Sequence, residues 1–414
     1  MGHWPEDLLA DLDPSHQLAL DDDRNPVLAS AEFVYKHANL IQLNPQGITA
    51  AAKYIHRRMQ AESHSPSTWR AQPLHLIPPM PYDPSHPGTK ATLDWIFFIS
   101  AMNFSFWSER EDTFGRYAVQ WKRGWSEEYR NTSAMYTGYW SLVAAVNRAL
   151  EEGIPITDPT FFGDPSRCSD ALIEHIFRAD PSALETIPLL SDRITVLRQT
   201  GSILIAKFGG SYQGFLRAFN RRFLGKGTAL DAVKMVVETF PCFRDEVTYQ
   251  GRKVCFWKRP QILIGETWAA FHPPPSDPTP HPLFPRGVHQ LTMFPDYRVP
   301  QIMHRLRILT YPPSLIDLLR SHKPLPPASE IEVVIRAAGV IGVEKVRQEI
   351  NDLRRKDREA GVEGVDGAGG AEVSSVLIDF WLWDLAKAIE KGEVIEGIEI
   401  DEIVPAHRTR SIWY

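Results

Sequence analysis

Two aspartates lie in strongly apolar sequence and are the strongest candidates for chemistry. Asp296 occurs within LTMFPDYRVPQ, residues 291–301, where Phe294 and Tyr297 flank it closely. Rings that keep water away from a carboxylate strengthen its effect on a positive charge that develops nearby. The alternative is structural, because an Asp at this place can form an Asx turn or begin the helix that Pro300 opens.

Asp379 is the second candidate and lies in SVLIDFWLWD, residues 375–384. A charge on so apolar a helix face costs free energy unless the group is paired or used in function. The alternative is a buried Asp that bonds to neighbouring backbone. Asp384, five residues later, is more simply explained as an ion-pair partner.

Three cationic residues are candidates for binding an anionic ligand. Lys258 and Arg259 are adjacent in FWKRPQ, residues 256–261, and Arg298 lies shortly after Asp296. Two neighbouring cations can hold a phosphate group through charge-assisted hydrogen bonds, although a solvated face is the usual explanation of such a pair.

Asn103, Phe104 and Trp107 bring a side-chain amide and ring faces together in MNFSFW, residues 102–107. Such a set suits stacking a heterocyclic base and reading its edge. The alternative is core packing, which we expect to take at least two of the rings in this segment.

Composition excludes several classes of protein. The 414-residue chain is 43% hydrophobic, so it can bury a large core, and its net charge of −6 argues against holding nucleic acid mainly through phosphate neutralisation. Its three cysteines are too few and too scattered for a disulfide framework or a four-ligand zinc site. The sequence has no GxGxxG, GxxxxGK[ST], HExxH, GxSxG or paired CxxC motif.

We therefore expect neither a metal ion nor an organic cofactor. The N-terminus lacks a basic start and an apolar signal core, and the most apolar stretch, Leu93 to Trp107, is shorter than the roughly 20 residues that cross a bilayer. We expect a cytoplasmic protein that does not contact a membrane.

The elements that must position these residues are mostly helical. Apolar spacing predicts helices over 136–150 and 376–389, and Leu93 to Trp107 is interpreted as a buried helix. A capping-box pair, Ser329 and Glu332, begins a helical pattern that runs to 353. Gly339 and Gly342 can divide that pattern into two helices.

Other segments break the helical pattern. Proline-dense stretches at 65–88 and 272–287 predict surface loops, and the glycine-rich stretch 356–373 predicts an insertion. The sequence VTYQGRKVCFW, residues 247–257, predicts a hairpin about a Gln-Gly turn. The fold class is therefore mostly α with a small β-hairpin element.

Several blocks of sequence in a fixed order resemble the queuosine salvage protein family, the queuosine 5'-monophosphate N-glycosylases. The similarity runs from about Val27 to Tyr414. The blocks are MNFSFW at 102–107, YWSLVAAVNRALEEGIPITDP at 139–159, FPCFRDE at 240–246, FWKRPQILIGETW at 256–268, LTMFPDYRVPQ at 291–301, SSVLIDFWLWD at 374–384 and HRTRSIWY at 407–414.

The resemblance implies an activity and a fold. The activity is release of the base queuine from queuosine 5'-monophosphate, for exchange into tRNA. The fold is mostly helical and similar to that of helix-hairpin-helix DNA glycosylases, although AAGVIGVEKV at 337–346 spaces its glycines too widely for the usual hairpin. Residues 27–414 would form one hydrolase domain or two helical lobes of it, after an N-terminal extension at 1–26, with insertions near 272–287 and 356–373.

The implied chemistry gives the candidate residues roles. Breaking a ribosyl C–N bond builds positive charge on the sugar, so a carboxylate beside the anomeric carbon is the natural stabiliser or nucleophile, and Asp296 is assigned to it. Asp379 is assigned provisionally to water activation or to the ribose hydroxyls. Asp245 or Glu246 could assist the leaving 7-deazaguanine, which lacks a ring nitrogen at position 7.

Two classes of function remain open from sequence. The first is the N-glycosidase, with a small-molecule substrate and no stable nucleic-acid partner. The second is a non-catalytic protein that binds modified nucleosides or tRNA through the same residues, although the acidic net charge disfavours tRNA.

Overall fold

Helices make up most of the structure, as the sequence predicts. The computed structural model describes residues 24–111, 113–274, 277, 279–361 and 372–414. Most of the expected N-terminal extension and most of the glycine-rich insertion therefore lie outside the described residues.

The α-helices range from single turns to one of 30 residues. Their bounds are α1 (Pro26–Ala38), α2 (Pro45–Ala61), α3 (Pro87–Ala101), α4 (Tyr139–Glu151), α5 (Pro159–Phe162), α6 (Asp170–Ile176), α7 (Leu190–Phe208), α8 (Tyr212–Arg222), α9 (Ala229–Thr239), α10 (Lys258–Ala270), α11 (Arg298–Arg305), α12 (Pro313–Arg320), α13 (Glu330–Glu359) and α14 (Ser375–Glu390). Helix α13 packs against α1, α2, α11 and α14, so it joins helices from the two ends of the chain.

The described strands form three small antiparallel sheets. These pair β1 (Gln42–Leu43) with β6 (Leu309–Thr310), β2 (Ala118–Trp121) with β3 (Ala134–Thr137), and β4 (Glu246–Tyr249) with β5 (Arg252–Cys255). In the last pair Gln250 and Gly251 form the turn with φ of 46° and 76°, as two-residue hairpin turns require. The hairpin prediction is confirmed, and the other two sheets were not predicted.

Two predicted helices are confirmed by α4 and α14. Helix α4 ends shortly before Gly153. The φ of Gly153 is 80°, a left-handed conformation that glycine adopts at little cost. Helix α14 begins after Ser374, whose hydroxyl accepts a hydrogen bond from the backbone N–H of Leu377.

The predicted division of the helix after 329 is wrong, because α13 continues through Gly339 and Gly342. A side chain at Gly342 would collide with Met303, and one at Gly339 would press on Pro300. The glycines therefore let α11 approach α13 closely, instead of breaking the helix.

The capping-box prediction for Ser329 is also wrong. The Ser329 hydroxyl makes no hydrogen bond, and Glu332 accepts one from the backbone N–H of Ala328 at 3.0 Å. Glu332 also pairs with Arg336 at 3.2 Å, one turn further along α13. The carboxylate is thus used for a buried ion pair as well as for the helix start.

The interpretation of 93–107 as one buried helix is correct only as far as Ala101, where α3 ends. The chain then turns through Ser105, which has a left-handed φ of 57°, although residues 102–107 remain buried. An irregular but buried segment therefore carries the MNFSFW block.

The prediction that 65–88 is a surface loop is wrong for its first half. Residues Pro66–Ala71 form a 3-10 helix, and Trp69 and His75 are buried. Proline is tolerated in the first turn of a helix, where no backbone N–H is needed, and Pro87 likewise begins α3. By contrast, the described residues of 272–287 contain neither helix nor strand.

Segment 337–346 lies within α13, so it does not form the turn between two helices that a helix-hairpin-helix motif needs. The likeness to DNA glycosylases stays a prediction. None of the described helices is both long and apolar enough to span a bilayer.

Candidate active site

A cavity of about 310 Å³ lies between the 3-10 helix at 66–71, the start of α4, one face of α10, the loop at 294–298 and one face of α14. This volume is at the lower end of the range for small-molecule sites in proteins. Five of the predicted site residues line the cavity together, namely Asn103, Lys258, Asp296, Arg298 and Asp379.

Asp296 occupies the turn before α11 and is 7% exposed. Its Oδ1 accepts hydrogen bonds from the backbone N–H groups of Arg298 at 2.9 Å and Val299 at 3.1 Å. Asp296 therefore does help to begin the helix, as the structural alternative holds, but this role uses only one of its two carboxylate oxygens. The carboxylate also lines the cavity, so both uses are open to it.

Asp379 projects from α14 into the same cavity and is 3% exposed. Its Oδ1 accepts a hydrogen bond at 3.0 Å from the backbone N–H of Phe294, two residues before Asp296. Burial raises the pKa of Asp379 well above its usual range, and the neighbouring charge of Asp296 raises it further. Asp379 therefore holds its proton more tightly than an ordinary carboxyl does.

Lys258 interacts electrostatically with both carboxylates. It is 4% exposed, and its Nζ lies 3.4 Å from Oδ1 and 3.5 Å from the carbonyl oxygen of Asn103. Burial lowers the pKa of Lys258, and the charge of Asp296 opposes that effect. The ammonium and the two aspartates therefore form one electrostatic cluster.

Two further cations line the cavity. Arg298 pairs with Glu111 at 3.1 Å and Glu390 at 2.8 Å, and Lys387 pairs with Glu390 at 2.8 Å. Lys387 lies on α14 two turns after Asp379. Because the two cations share Glu390, an anionic ligand could replace part of their interaction with it.

An aromatic box, formed by Tyr139, Trp140 and Trp383, makes another wall of the cavity. Its ring centroids lie 4.9 Å apart for Tyr139 and Trp140, and 5.6 Å apart for each of them with Trp383. Phe106 contacts Tyr139 edge-on, with 6.0 Å between their centroids. Because the three rings pack edge to face against one another, they form one wall against which a flat heterocycle can pack.

Glu266 projects from α10 into the cavity beside the aromatic box. It is 7% exposed, and its Oε2 has no hydrogen-bond partner. Burial raises the pKa of Glu266 to about 8, with the charge of Lys258 opposing the effect. A buried carboxyl oxygen without a hydrogen-bond partner costs free energy, and a ligand that bonds to it removes that cost.

Sequence reasoning missed Glu266, Lys387 and the aromatic box. A signal existed in the helix periodicity, because Lys258, Ile262 and Glu266 repeat every four residues along α10 and all line the cavity. Asp379, Trp383 and Lys387 repeat in the same way along α14.

The side chains of Arg259 and Lys258 point in different directions. These residues are the first two of α10, and neighbours on a helix point about 100° apart. The Arg259 guanidinium is buried in the core, where it donates hydrogen bonds to the carbonyl oxygens of Ala101 and Cys242. The predicted pair of adjacent cations therefore does not face one ligand.

Phe104 and Trp107 also lie outside the cavity lining. Phe104 packs under the guanidinium of Arg193, 4.2 Å from its ring centroid. Trp107 packs under Arg410 at 3.4 Å, and its Nε1 donates a hydrogen bond to the carbonyl oxygen of Thr409 at 2.8 Å. The two rings serve packing.

Neither Asp245 nor Glu246 lines the cavity. Glu246 lies on β4 and pairs with Lys253 of the same hairpin at 3.4 Å. Asp245 forms a buried ion pair with both Nη atoms of Arg336. The suggested role of these carboxylates at the leaving base has no geometric support.

The Asp245–Arg336 pair nevertheless connects two parts of the cavity wall. Arg336 Nε donates a hydrogen bond at 3.1 Å to the carbonyl oxygen of Pro295, the residue before Asp296. Asp245 Oδ2 accepts one at 3.4 Å from the backbone N–H of Lys258. The pair thereby fixes the backbone of both charged residues.

Tyr414 covers this pair from the other side. Its ring centroid lies 4.2 Å from the guanidinium of Arg336, and its side chain is hydrogen-bonded to His407 at 3.1 Å. Its carbonyl oxygen accepts a hydrogen bond at 2.9 Å from the backbone N–H of Ser105. The last residues of the chain are therefore packed against the cavity's supporting layer.

Across the part of the chain that the structure describes, no group of three or more His, Cys, Asp and Glu side chains is arranged to hold a metal ion. The polar groups of the cavity include three aspartates, Asp296, Asp379 and Asp384, together with Glu266, Asn103 and the three cations, and rings lie among them. This combination suits a ligand in which a flat heterocycle is joined to a polar, anionic part.

The chain belongs to the queuosine salvage protein family. The family model described as "Queuosine salvage protein" matches residues 82–414. A relative from Schizosaccharomyces pombe, named queuosine 5'-phosphate N-glycosylase/hydrolase, is 35% identical over 94% of this chain and 99% of its own length. Relatives of the same name from Mus musculus and Sphaerobacter thermophilus are 34% and 31% identical, covering 93% and 95% of this chain and 97% and 98% of their own lengths.

We predict that Asp245→Asn strongly destabilises the protein, because it removes one carboxylate from a buried ion pair. Breaking such a pair typically costs about 3–5 kcal/mol. Urea unfolding at neutral pH measures the loss. Glu246→Gln is the matched control, since its neighbouring ion pair is partly exposed and should contribute less than about 1 kcal/mol. Equal stability of the two variants would contradict the prediction.

We predict that Glu266→Gln changes the pH dependence of stability. The folded protein holds the Glu266 proton up to a pKa of about 8, whereas the unfolded chain releases it near 4.5, so this group lowers the free energy of unfolding as pH rises between those values. Each unit of the difference corresponds to about 1.4 kcal/mol. The gain in melting temperature of the variant over the parent protein should therefore grow from pH 5 to pH 8.

Groups that face Glu266, including Lys258 and Tyr139, titrate in both proteins, so the difference between the two melting curves isolates Glu266. A difference that stays constant across this range would show that Glu266 is ionised in the folded protein at pH 5.

Proposed function

We propose that this protein hydrolyses the N-glycosidic bond of queuosine 5'-phosphate, yielding queuine and ribose 5-phosphate. The observation that carries the proposal is the pair of buried aspartates, Asp296 and Asp379, which share one cavity with Lys258. The activity named for the relatives supports the choice of substrate.

Asp296 stabilises the sugar as it becomes cationic. Its Oδ1 is held by two backbone N–H groups, so the carboxylate cannot turn away from the cavity when charge develops. A fixed negative group contributes most when it need not reorganise during the reaction.

Asp379 acts on the attacking water. Its raised pKa makes its ionised form a stronger base than an ordinary carboxylate. Water adds to the anomeric carbon as the bond to the base nitrogen breaks, and Asp379 takes the proton that the water loses. The bond electrons leave with the base, which takes a proton from solvent, and Asp379 then returns to solvent the proton that it took, so that one water molecule is consumed.

The 5'-phosphate binds Arg298 and Lys387. Arg259, which sequence paired with Lys258, is buried away from the cavity, whereas Arg298 and Lys387 both line it. Burial, together with the charge of Arg298, lowers the pKa of Lys387, so an added dianion would be attracted by two cations that repel each other.

The competing function is binding of a modified nucleoside without turnover. The aromatic box would serve either function equally, whereas two buried aspartates in one cavity cost free energy that catalysis explains better than binding does. Incubation of the protein with queuosine 5'-phosphate, followed by chromatography, separates the two functions, because free queuine appears only if the bond is hydrolysed.

We predict that Asp296→Asn lowers single-turnover release of queuine by at least about 100-fold, since the amide keeps the shape but loses the charge needed in the transition state. Asn can still accept the hydrogen bonds from Arg298 and Val299, so the melting temperature and product affinity should stay close to those of the parent protein.

Asp158→Asn is the matched control for this experiment. Asp158 caps α5 by accepting a hydrogen bond from the backbone N–H of Thr160, and it does not line the cavity. If Asp296 were only a helix-start residue, the two variants would behave alike and both would keep near-normal turnover.

We predict that Lys387→Met weakens use of the 5'-monophosphate about tenfold or more, because a charge-assisted phosphate contact contributes about 1.5–3 kcal/mol. The measurement is kcat/KM for queuosine and for its 5'-monophosphate, and the ratio of the two should fall towards one. Lys391→Met, one turn later and exposed, should leave the ratio unchanged. An unchanged ratio in Lys387→Met would place the phosphate elsewhere.

A further inference from the structure

Glu266 and Tyr139 carry polar atoms that are buried at the cavity without partners. Oε2 of Glu266 and the hydroxyl of Tyr139 both lack hydrogen bonds, and both residues line the cavity. A buried polar group without a partner costs about 1–3 kcal/mol. A ligand that bonds to these atoms removes that cost, so they indicate which hydrogen bonds the ligand makes.

The two groups differ in what they can do. Hydrogen-bond donors on a ligand favour the ionised form of Glu266, which presents two acceptor oxygens, whereas the Tyr139 hydroxyl keeps its proton because burial and the nearby Glu266 raise its pKa. The site thus offers a pair of acceptors beside a donor. The complement is an edge with two N–H donors beside a carbonyl oxygen.

Their position in the cavity fits the base and not the sugar. Glu266 lies eight residues after Lys258, which corresponds to about 12 Å along α10. The aspartates lie at the Lys258 end, so a ribose placed there leaves its heterocycle to extend along α10 towards Glu266. Tyr139 belongs to the aromatic box, against which that heterocycle would pack.

We infer that Glu266 and Tyr139 are the residues that select the base, by reading the guanine-type edge of a 7-deazaguanine. Glu266 accepts hydrogen bonds from the ring N–H and the exocyclic amine, and Tyr139 donates one to the ring carbonyl. The inference rests on the proposed function for the identity of the base, and it assigns the specificity of that site.

The geometry distinguishes Glu from Gln at this position. Two adjacent N–H donors match the two oxygens of a carboxylate, whereas an amide places one donor against a donor. A site built around such a pair rejects a base that lacks the exocyclic amine, because one carboxylate oxygen is then left buried and unpaired.

The test is the affinity of two free bases, 7-deazaguanine and 7-deazahypoxanthine, which differ only in the exocyclic amine, measured by titration calorimetry. The parent protein should bind 7-deazaguanine at least about tenfold more tightly. In Glu266→Gln this ratio should fall to near one. In Tyr139→Phe both affinities should fall by the same factor, since both bases carry the carbonyl.

Glu246→Gln is the control, because it alters a carboxylate that pairs with Lys253 on the hairpin and does not line the cavity, so it should leave the ratio of affinities unchanged. An unchanged ratio in Glu266→Gln, or binding of neither base by the parent protein, would overturn the inference. The titration needs no turnover, so it is independent of the proposed function, which fails instead if the parent protein releases no queuine from queuosine 5'-phosphate.

Discussion

The buried ion pair between Asp245 and Arg336 is the constraint on which the cavity depends. It connects the first residue of α10 to the turn that precedes α11, and these two segments carry Lys258 and Asp296. A charge pair at 4% and 2% exposure contributes little net stability when formed but is costly to break. The segments are therefore held in one relative position, and the distance between ammonium and carboxylate is not free to relax.

The cavity brings several buried charged groups close together. Asp296, Asp379 and Glu266 share a small volume with Lys258, and burial raises the pKa of two of these acids. Such an arrangement lowers stability, and proteins retain it where a ligand or a reaction uses it. The close approach of α11 to α13, permitted by Gly342, helps to hold these groups in place, because α11 follows the turn of Asp296 directly.

Much of the fold and about half of the site could be predicted from the sequence. Local signals such as the Gln-Gly hairpin and the apolar periodicity of α4 and α14 depend on neighbours in the chain, and they were interpreted correctly. Two neighbours in sequence, Lys258 and Arg259, were wrongly expected to face one ligand. Their side chains point to different environments, because the tertiary structure decides where each one lies. Asp245 was assigned to the ligand because its partner Arg336 lies 91 residues away, beyond any local pattern. Glu266 was missed because the feature that marks it is a buried oxygen without a hydrogen-bond partner, and only the packed structure reveals that.

The position of Tyr414 has a consequence for biosynthesis. Its ring covers Arg336 and its carbonyl oxygen bonds to Ser105, so the layer behind the cavity is completed by a residue that leaves the ribosome after every segment it touches. Helix α1 must likewise wait for α13, its main packing partner, while its apolar face is exposed. Nascent chains can thus form local helices early, but the layer behind the cavity is complete only after Tyr414 has been synthesised.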